Sequence, residues 1–210
     1  VIRLVLDKHP IVFVEKTLRD IRTNGVYCDT NAVGSLLAEY LSNQGFKRIA
    51  LVTYPPEFTV GVSDRLNGFR NALDRHGMEP IPESRILSVP PAILDESSGR
   101  RENELPKAIL QFIEEHAELD AIATVDAELA RLVGIACWQQ GRHDVRIICC
   151  DKPMVHPECV MPVAYIDQSP YEIGRIAASM IVNAIENRTE PRKEIIAPRL
   201  VELNPVRVFS

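Results

Sequence analysis

No apolar run in the 210 residues reaches the roughly 18 that a membrane-spanning helix needs. The start, Val1 to Asp7, also lacks the long apolar core of a secretory signal, so neither a membrane partner nor export is expected. Positive charge is in deficit: 24 Lys and Arg stand against 29 Asp and Glu, a net charge of -5. Such a chain repels a phosphate backbone and is not expected to hold DNA by itself. Cysteine is sparse and poorly arranged for cross-linking. Cys28, Cys137, Cys149, Cys150 and Cys159 are odd in number and contain no CxxC pair, which points to a reducing cytoplasm.

The signatures of catalysis are missing as well. There is no GxSxG elbow, no GxxxxGK followed by Ser or Thr, and no GxGxxG after a strand. His9, His76, His116, His143 and His156 are scattered without HxxxH spacing, so no metal and no cofactor is expected. Cys149 and Cys150 before Asp151 invite a nucleophile reading, but thiols that end an apolar strand are more often small buried hydrophobes. Trp138, in a helical pattern, reads as a packing residue rather than a platform for a sugar ring.

What remains is a regular alternation in a chain that is 46% hydrophobic and 25% charged. Ile11 to Val14, Val26 to Cys28, Ile49 to Thr53, Ile86 to Val89, Ala121 to Val125 and Val145 to Cys149 read as buried strands. Between them run apolar stripes of helical period. Val33, Leu36, Leu37, Tyr40 and Leu41 form one before Gly45, and Leu129, Leu132, Val133, Ala136 and Cys137 another before Gly141. Leu105 to Ile113 and Ile173 to Ile185 carry the same stripe. Strands alternating with helices of this length predict an α/β fold, with mostly parallel sheets flanked by helices. Pro90 to Arg101 reads as a loop, and the tail from Glu190, punctuated by Pro191, Pro198 and Pro205, as short strands at a sheet edge or crossing between subdomains.

In parallel sheets ligands lie beyond the carboxyl ends of the strands. Glu15, Asp29, Asp126 and Asp151 occupy those places, so four carboxylates are expected on one rim. Arg65 falls near the start of the helix from Gly61 to His76, where the macrodipole disfavours a cation and calls for a compensating partner. That partner is either a neighbouring carboxylate or the hydroxyls or carboxylate of a ligand. Each acid also has a plain structural reading. Asp126 stands where a helix N-cap belongs, as do Thr30 and Asn31, and Asp29 and Asp151 suit loops that satisfy backbone donors.

Seven segments in order resemble the effector-binding core of the lactose-repressor (LacI/GalR) family. Pro10 to Lys16 is similar to P-V-V-x-I/V-D-R, Asn31-Ala32-Val33-Gly34 to D-N-x-x-G, and Gly45-Phe46-Lys47-Arg48-Ile49-Ala50 to the following turn into a strand. Asp64-Arg65-Leu66-Asn67-Gly68-Phe69 resembles E-R-x-x-G-F. Asp120-Ala121-Ile122, Ile147 to Asp151, and Ile166-Asp167-Gln168-Ser169 with Ile173-Gly174-Arg175 complete the series. Asp126, Ala127 and Lys152 depart from the family pattern of Asn, Asp and Asp, which leaves the effector's identity open.

The resemblance implies a two-subdomain fold of the periplasmic-binding-protein type I kind, with a first subdomain over 1–28 and 164–193 and a second over 29–163 and 194–210. It places Glu15, Asp29, Arg65, Asp126, Asp151 and Gln168 around an effector cleft. It further implies a sugar or similar small polar effector, a homodimer, and operator DNA held by a module absent from this chain. The missing early strands of the first subdomain make a fragment the expectation. Two alternatives are kept: an extracytoplasmic sugar-binding protein of a transporter, and an enzyme using Asp126 and Asp151 on a glycoside.

Overall fold

A computed structural model describes residues 9–15, 22–57, 59–90, 107–187 and 190–203. The strands are β1 (Val12–Val14), β2 (Asn24–Cys28), β3 (Ile49–Thr53), β4 (Ile86–Ser88), β5 (Ala121–Thr124), β6 (Arg146–Cys150), β7 (Ala164–Asp167), β8 (Lys193–Ile196) and β9 (Arg199–Glu202). The helices are α1 (Thr30–Asn43), α2 (Val60–Arg75), α3 (Lys107–Glu115), α4 (Ala127–Gln139) and α5 (Pro170–Asn187). Two sheets result, ordered β1-β2-β8 and β4-β3-β5-β6-β7-β9. Every strand pair is parallel except β7 with β9. This is the expected α/β class.

The chain divides into two compact units, Val1–Asp29 with Gln168–Pro198, and Thr30–Asp167 with Arg199–Ser210. All three boundaries fall later than the sequence suggests, and for the two larger shifts the reason is visible in the pairing. Residues 164–167 form a strand that the sequence reading did not anticipate, and it binds β6 and β9 of the larger unit. The strand at 193–196 binds β2 of the smaller one. The expected loop is described only at Pro90, and Lys16, Leu105 and the tail beyond Leu203 lie outside the described residues.

In the larger unit β3 and β5 are buried at every residue, as strands covered on both faces must be, and this is why they read as unbroken apolar runs. Helix α1 buries Val33, Leu37, Ala38 and Leu41, and α4 buries Leu129, Leu132, Val133, Ala136 and Cys137. Both helices end as their sequences require. Gly45 and Gly141 take left-handed φ of 80 and 69°, and the next amides turn back to close the last turn, Phe46 N–H on the Leu41 carbonyl and Arg142 N–H on the Cys137 carbonyl.

Helices α1 and α2 approach each other backbone to backbone at two glycines. A Cβ on Gly34 would lie 1.9 Å from the Arg65 carbonyl oxygen, and one on Gly68 would lie 2.0 Å from that of Asn31. Each helix thus offers a glycine to the other's backbone. Ser35 Oγ donates to the Gly68 carbonyl at 3.2 Å, and Thr30 Oγ1 and Asn31 Nδ2 donate to the side chain and carbonyl of Asp64, each at 3.3 Å. Thr30 and Asn31, considered above as caps, therefore tie α1 to the start of α2. The pairing fixes the height of Arg65 above the sheet.

Candidate functional site

The rim of the larger unit follows from register. Val52 of β3 pairs with Thr124 of β5, and Thr124 pairs with Cys149 of β6. Two residues beyond each, on three strands that are adjacent in the sheet, stand Tyr54, Asp126 and Asp151. All three therefore stand at the carboxyl edge of adjacent strands, where the Tyr54 hydroxyl meets the Asp126 carboxylate. Arg65 reaches this row from the second turn of α2, where its Nη1 donates to the Val125 carbonyl at 3.5 Å.

Asp126 is the centre of the row. Its Oδ1 accepts the Leu129 N–H at 2.8 Å as the N-cap of α4, and its Oδ2 accepts a short hydrogen bond from the Tyr54 hydroxyl. The plain reading as a cap is therefore correct, and it does not exhaust the residue. Burial raises the pKa of Asp126 above the ordinary carboxylate range. The Leu129 N–H, the Tyr54 hydroxyl and the Arg65 charge oppose that rise, and the Asp151 charge adds to it. Burial, followed by the Asp126 carboxylate it bonds and the charges of Asp126 and Glu128, pushes the Tyr54 phenol far upward, with Arg65 acting against them. The proton of this pair stays on the tyrosine.

Asp151 sits beyond β6 with φ of 64°, a left-handed conformation that Asp tolerates better than most residues. Its N–H donates to the Ile166 carbonyl at 2.9 Å, so pairing with β7 holds the turn. The cysteines beneath the rim are small buried side chains, as expected. All five are buried and none forms a disulfide, and burial holds the Cys149 thiol far above its usual range and pushes those of Cys137 and Cys159 up to about 12 and about 11. None of these three is poised as a thiolate.

In the smaller unit Glu15 and Asp29 follow β1 and β2, side by side in the sheet. Both are exposed. Glu15 adopts φ of 56°, donates its N–H to the Val26 carbonyl, and accepts the Cys28 N–H on Oε1 at 2.7 Å. Asp29 donates its N–H to the Ile196 carbonyl. Gln168 belongs to the same unit and precedes Ser169, which has φ of 57° and whose carbonyl accepts the Ile173 N–H at the start of α5. Helix α5 packs on β1 and β2.

The structure thus brings Arg65, Asp126 and Asp151 together in one unit and places Glu15, Asp29 and Gln168 in the other. Tyr54 was missed by the sequence reading. Its signal was available, because it directly follows Thr53 at the end of β3, the same place on its strand that drew attention to the acids; only carboxylates were sought there. Trp138, near the far end of α4 from the rim, makes an edge contact with the His143 ring at 4.8 Å and takes no part in the row. Among the described residues no group of three or more His, Cys, Asp and Glu is arranged to hold a metal, and no helix is long and apolar enough to cross a membrane.

Comparison with known proteins adds three findings. Residues 38–202 match the model of the periplasmic binding protein-like domain. The probable HTH-type transcriptional regulator EndR of Paenibacillus polymyxa is 24% identical over 213 residues, covering 98% of this chain and 58% of the relative, so the chain spans less than two thirds of that relative's length. Among solved structures, a regulatory protein of the LacI family from Chloroflexus aggregans superimposes with a TM-score of 0.74 at 24% identity over 95% of this chain and 70% of that one. A LacI family transcriptional regulator from Enterococcus faecium with bound ribose gives 0.69 at 21% identity over 95% and 71%. At these identities the structural likeness speaks for the fold.

Proposed function

The chain belongs to the periplasmic binding protein-like domain family, and from that premise we infer that it is the effector-binding part of a bacterial LacI-type transcription regulator, sensing a sugar or similar small polar metabolite. The observation that carries this reading is the single row of Tyr54, Asp126 and Asp151 joined by Arg65, at the carboxyl edge of a parallel sheet, in a chain that aligns along 98% of its length with a transcription regulator. Guanidinium donors and carboxylate acceptors are what a polyol requires, because each ligand hydroxyl both donates and accepts. Arg65 and Asp151 supply one of each.

Glu15, Asp29 and Gln168 of the smaller unit are proposed as further ligand-binding residues. The curated relative supports a regulator over a transporter's extracytoplasmic binding protein. The protein acts in the cytoplasm as a homodimer, and operator DNA is held by a module outside these 210 residues. The effector works by binding one of two conformational states more tightly, which shifts their populations and with them DNA affinity. No bond in the ligand is broken, so incubation with aryl glycosides releases no phenol.

Arg65→Ala tests the reading. Calorimetric titration of the wild type with unphosphorylated pentoses, hexoses and disaccharides identifies a ligand. The variant then loses about 10- to 100-fold in affinity, as expected for a charged hydrogen-bond donor worth about 1.5–3 kcal/mol, while its circular dichroism is unchanged. Equal affinity in a folded Arg65→Ala chain removes Arg65 from the site.

A further inference from the structure

The amino end of α4 and the guanidinium of Arg65 converge on one point. A helix of 13 residues presents unsatisfied N–H groups and the positive end of its dipole there, and Arg65, bonded to the carbonyl of Val125, adds a full positive charge. The Tyr54 hydroxyl contributes a further donor from β3. Together these make a seat for an anion. It is already filled by a carboxylate of the chain itself, since Asp126 accepts from Leu129 N–H with one oxygen and from Tyr54 with the other.

We propose that Tyr54 and Asp126 are a specificity-determining pair: they keep a resident anion beside Arg65, so that the rim accepts an uncharged, hydroxyl-rich ligand and rejects a phosphorylated or acidic one. The inference rests on the effector-sensing reading and adds the class of effector. Tyr54, only 7% exposed, acts through Asp126 and is a positioning residue. Its donated proton holds the carboxylate in place and in its charged form against the burial that would neutralise it. Asp151, just beyond the next strand, adds a second negative charge near Asp126, so a ligand dianion at this seat meets carboxylate charge beside the guanidinium.

The test uses the full chain and sulfate, a tetrahedral dianion that does not titrate in the working range, alongside ribose and ribose 5-phosphate as a matched pair. Asp126→Asn keeps the cap, because Asn caps helices as well as Asp does, but empties the seat of charge. Sulfate affinity measured by calorimetry rises at least about tenfold in this variant, equivalent to about 1.4 kcal/mol, and the ratio of ribose 5-phosphate to ribose affinity rises with it. Asp126→Ser, also a capping residue, gives the same gain should the Asn chain fold poorly. Tyr54→Phe leaves the charge and removes its support. Sulfate rejection then weakens on acidification at a higher pH than in the wild type, a shift that a packing role would not produce.

The groups acting on Asp126 are Tyr54 from the end of β3, Arg65 from α2, Asp151 from the end of β6 and the N–H of Leu129 on α4, so the profile is read against those. Sulfate binding no tighter in Asp126→Asn and Asp126→Ser than in the wild type, or tighter wild-type binding of ribose 5-phosphate than of ribose, overturns the inference. If the sulfate arm behaves as described and no unphosphorylated sugar binds, the pair stands and the sugar-sensing reading fails. If sugars bind and the sulfate arm does not respond, the reverse holds.

Discussion

Asp126 shows how one carboxylate serves packing and recognition together. As a cap it satisfies an orphan N–H of α4, and as a half-buried acid it has a pKa raised above its unfolded value by desolvation. For an acid shifted upward, the favourable contribution is complete below the unfolded pKa and is lost as pH rises through the folded one. The wild type should therefore lose stability relative to Asp126→Asn as pH rises above the ordinary aspartate pKa of about 4. Urea unfolding of both chains at a series of pH values measures this. A stability difference that stays flat or runs the other way means that Asp126 is not held above its ordinary pKa. Sequence alone could name Asp126 as a cap and as a rim acid, but the choice between them was false; the short bond from Tyr54, 72 residues away in the chain, joins the two.

At the scale of elements, the crossing of α1 and α2 is what delivers Arg65 to the row. Gly34→Ala puts a methyl against the Arg65 carbonyl, and since backbone cannot give way as a flexible side chain can, the helices must part. A loss of about 1–3 kcal/mol in unfolding free energy is expected, with weaker ligand binding because Arg65 moves with its helix. Gly174→Ala in α5 is the control. Nothing lies within 4 Å of a Cβ there, so the helix should gain about 0.5–1 kcal/mol from the better helix former. Thermal unfolding of the two variants checks both signs, and equal effects would mean that the close crossing is absent. The sequence marked both Gly34 and Gly68 within motif matches, three residues after Asn31 and Arg65 respectively, but only the packed helices show that each glycine receives the other motif's carbonyl.

At the scale of the molecule, the larger unit owns most of the described core: β3 and β5, with most of β6, are buried, under the apolar stripes of α1 and α4. In the smaller unit the buried apolar residues among those described are Val26, Cys28, Ile173 and Met180. Local opening costs least where few apolar groups are buried. Native-state hydrogen exchange should therefore show slower exchange at β3, β5 and β6 than at β1, β2 and β8, and equal protection in both sheets would contradict this division. The α/β class, most strand and helix positions and the acids beyond the strands were legible in the sequence, because buried parallel strands and amphipathic helices leave periods of their own in the order of residues. The strand at 164–167, the shifted boundaries between units and the part played by Tyr54 were not, because pairing partners and register are set by contacts between segments far apart in the chain. So the sequence by itself determined that a polar rim would exist on a parallel sheet. Only the tertiary structure decided that Asp126 fills its own anion seat, since that depends on three elements meeting at one point, which no local pattern encodes.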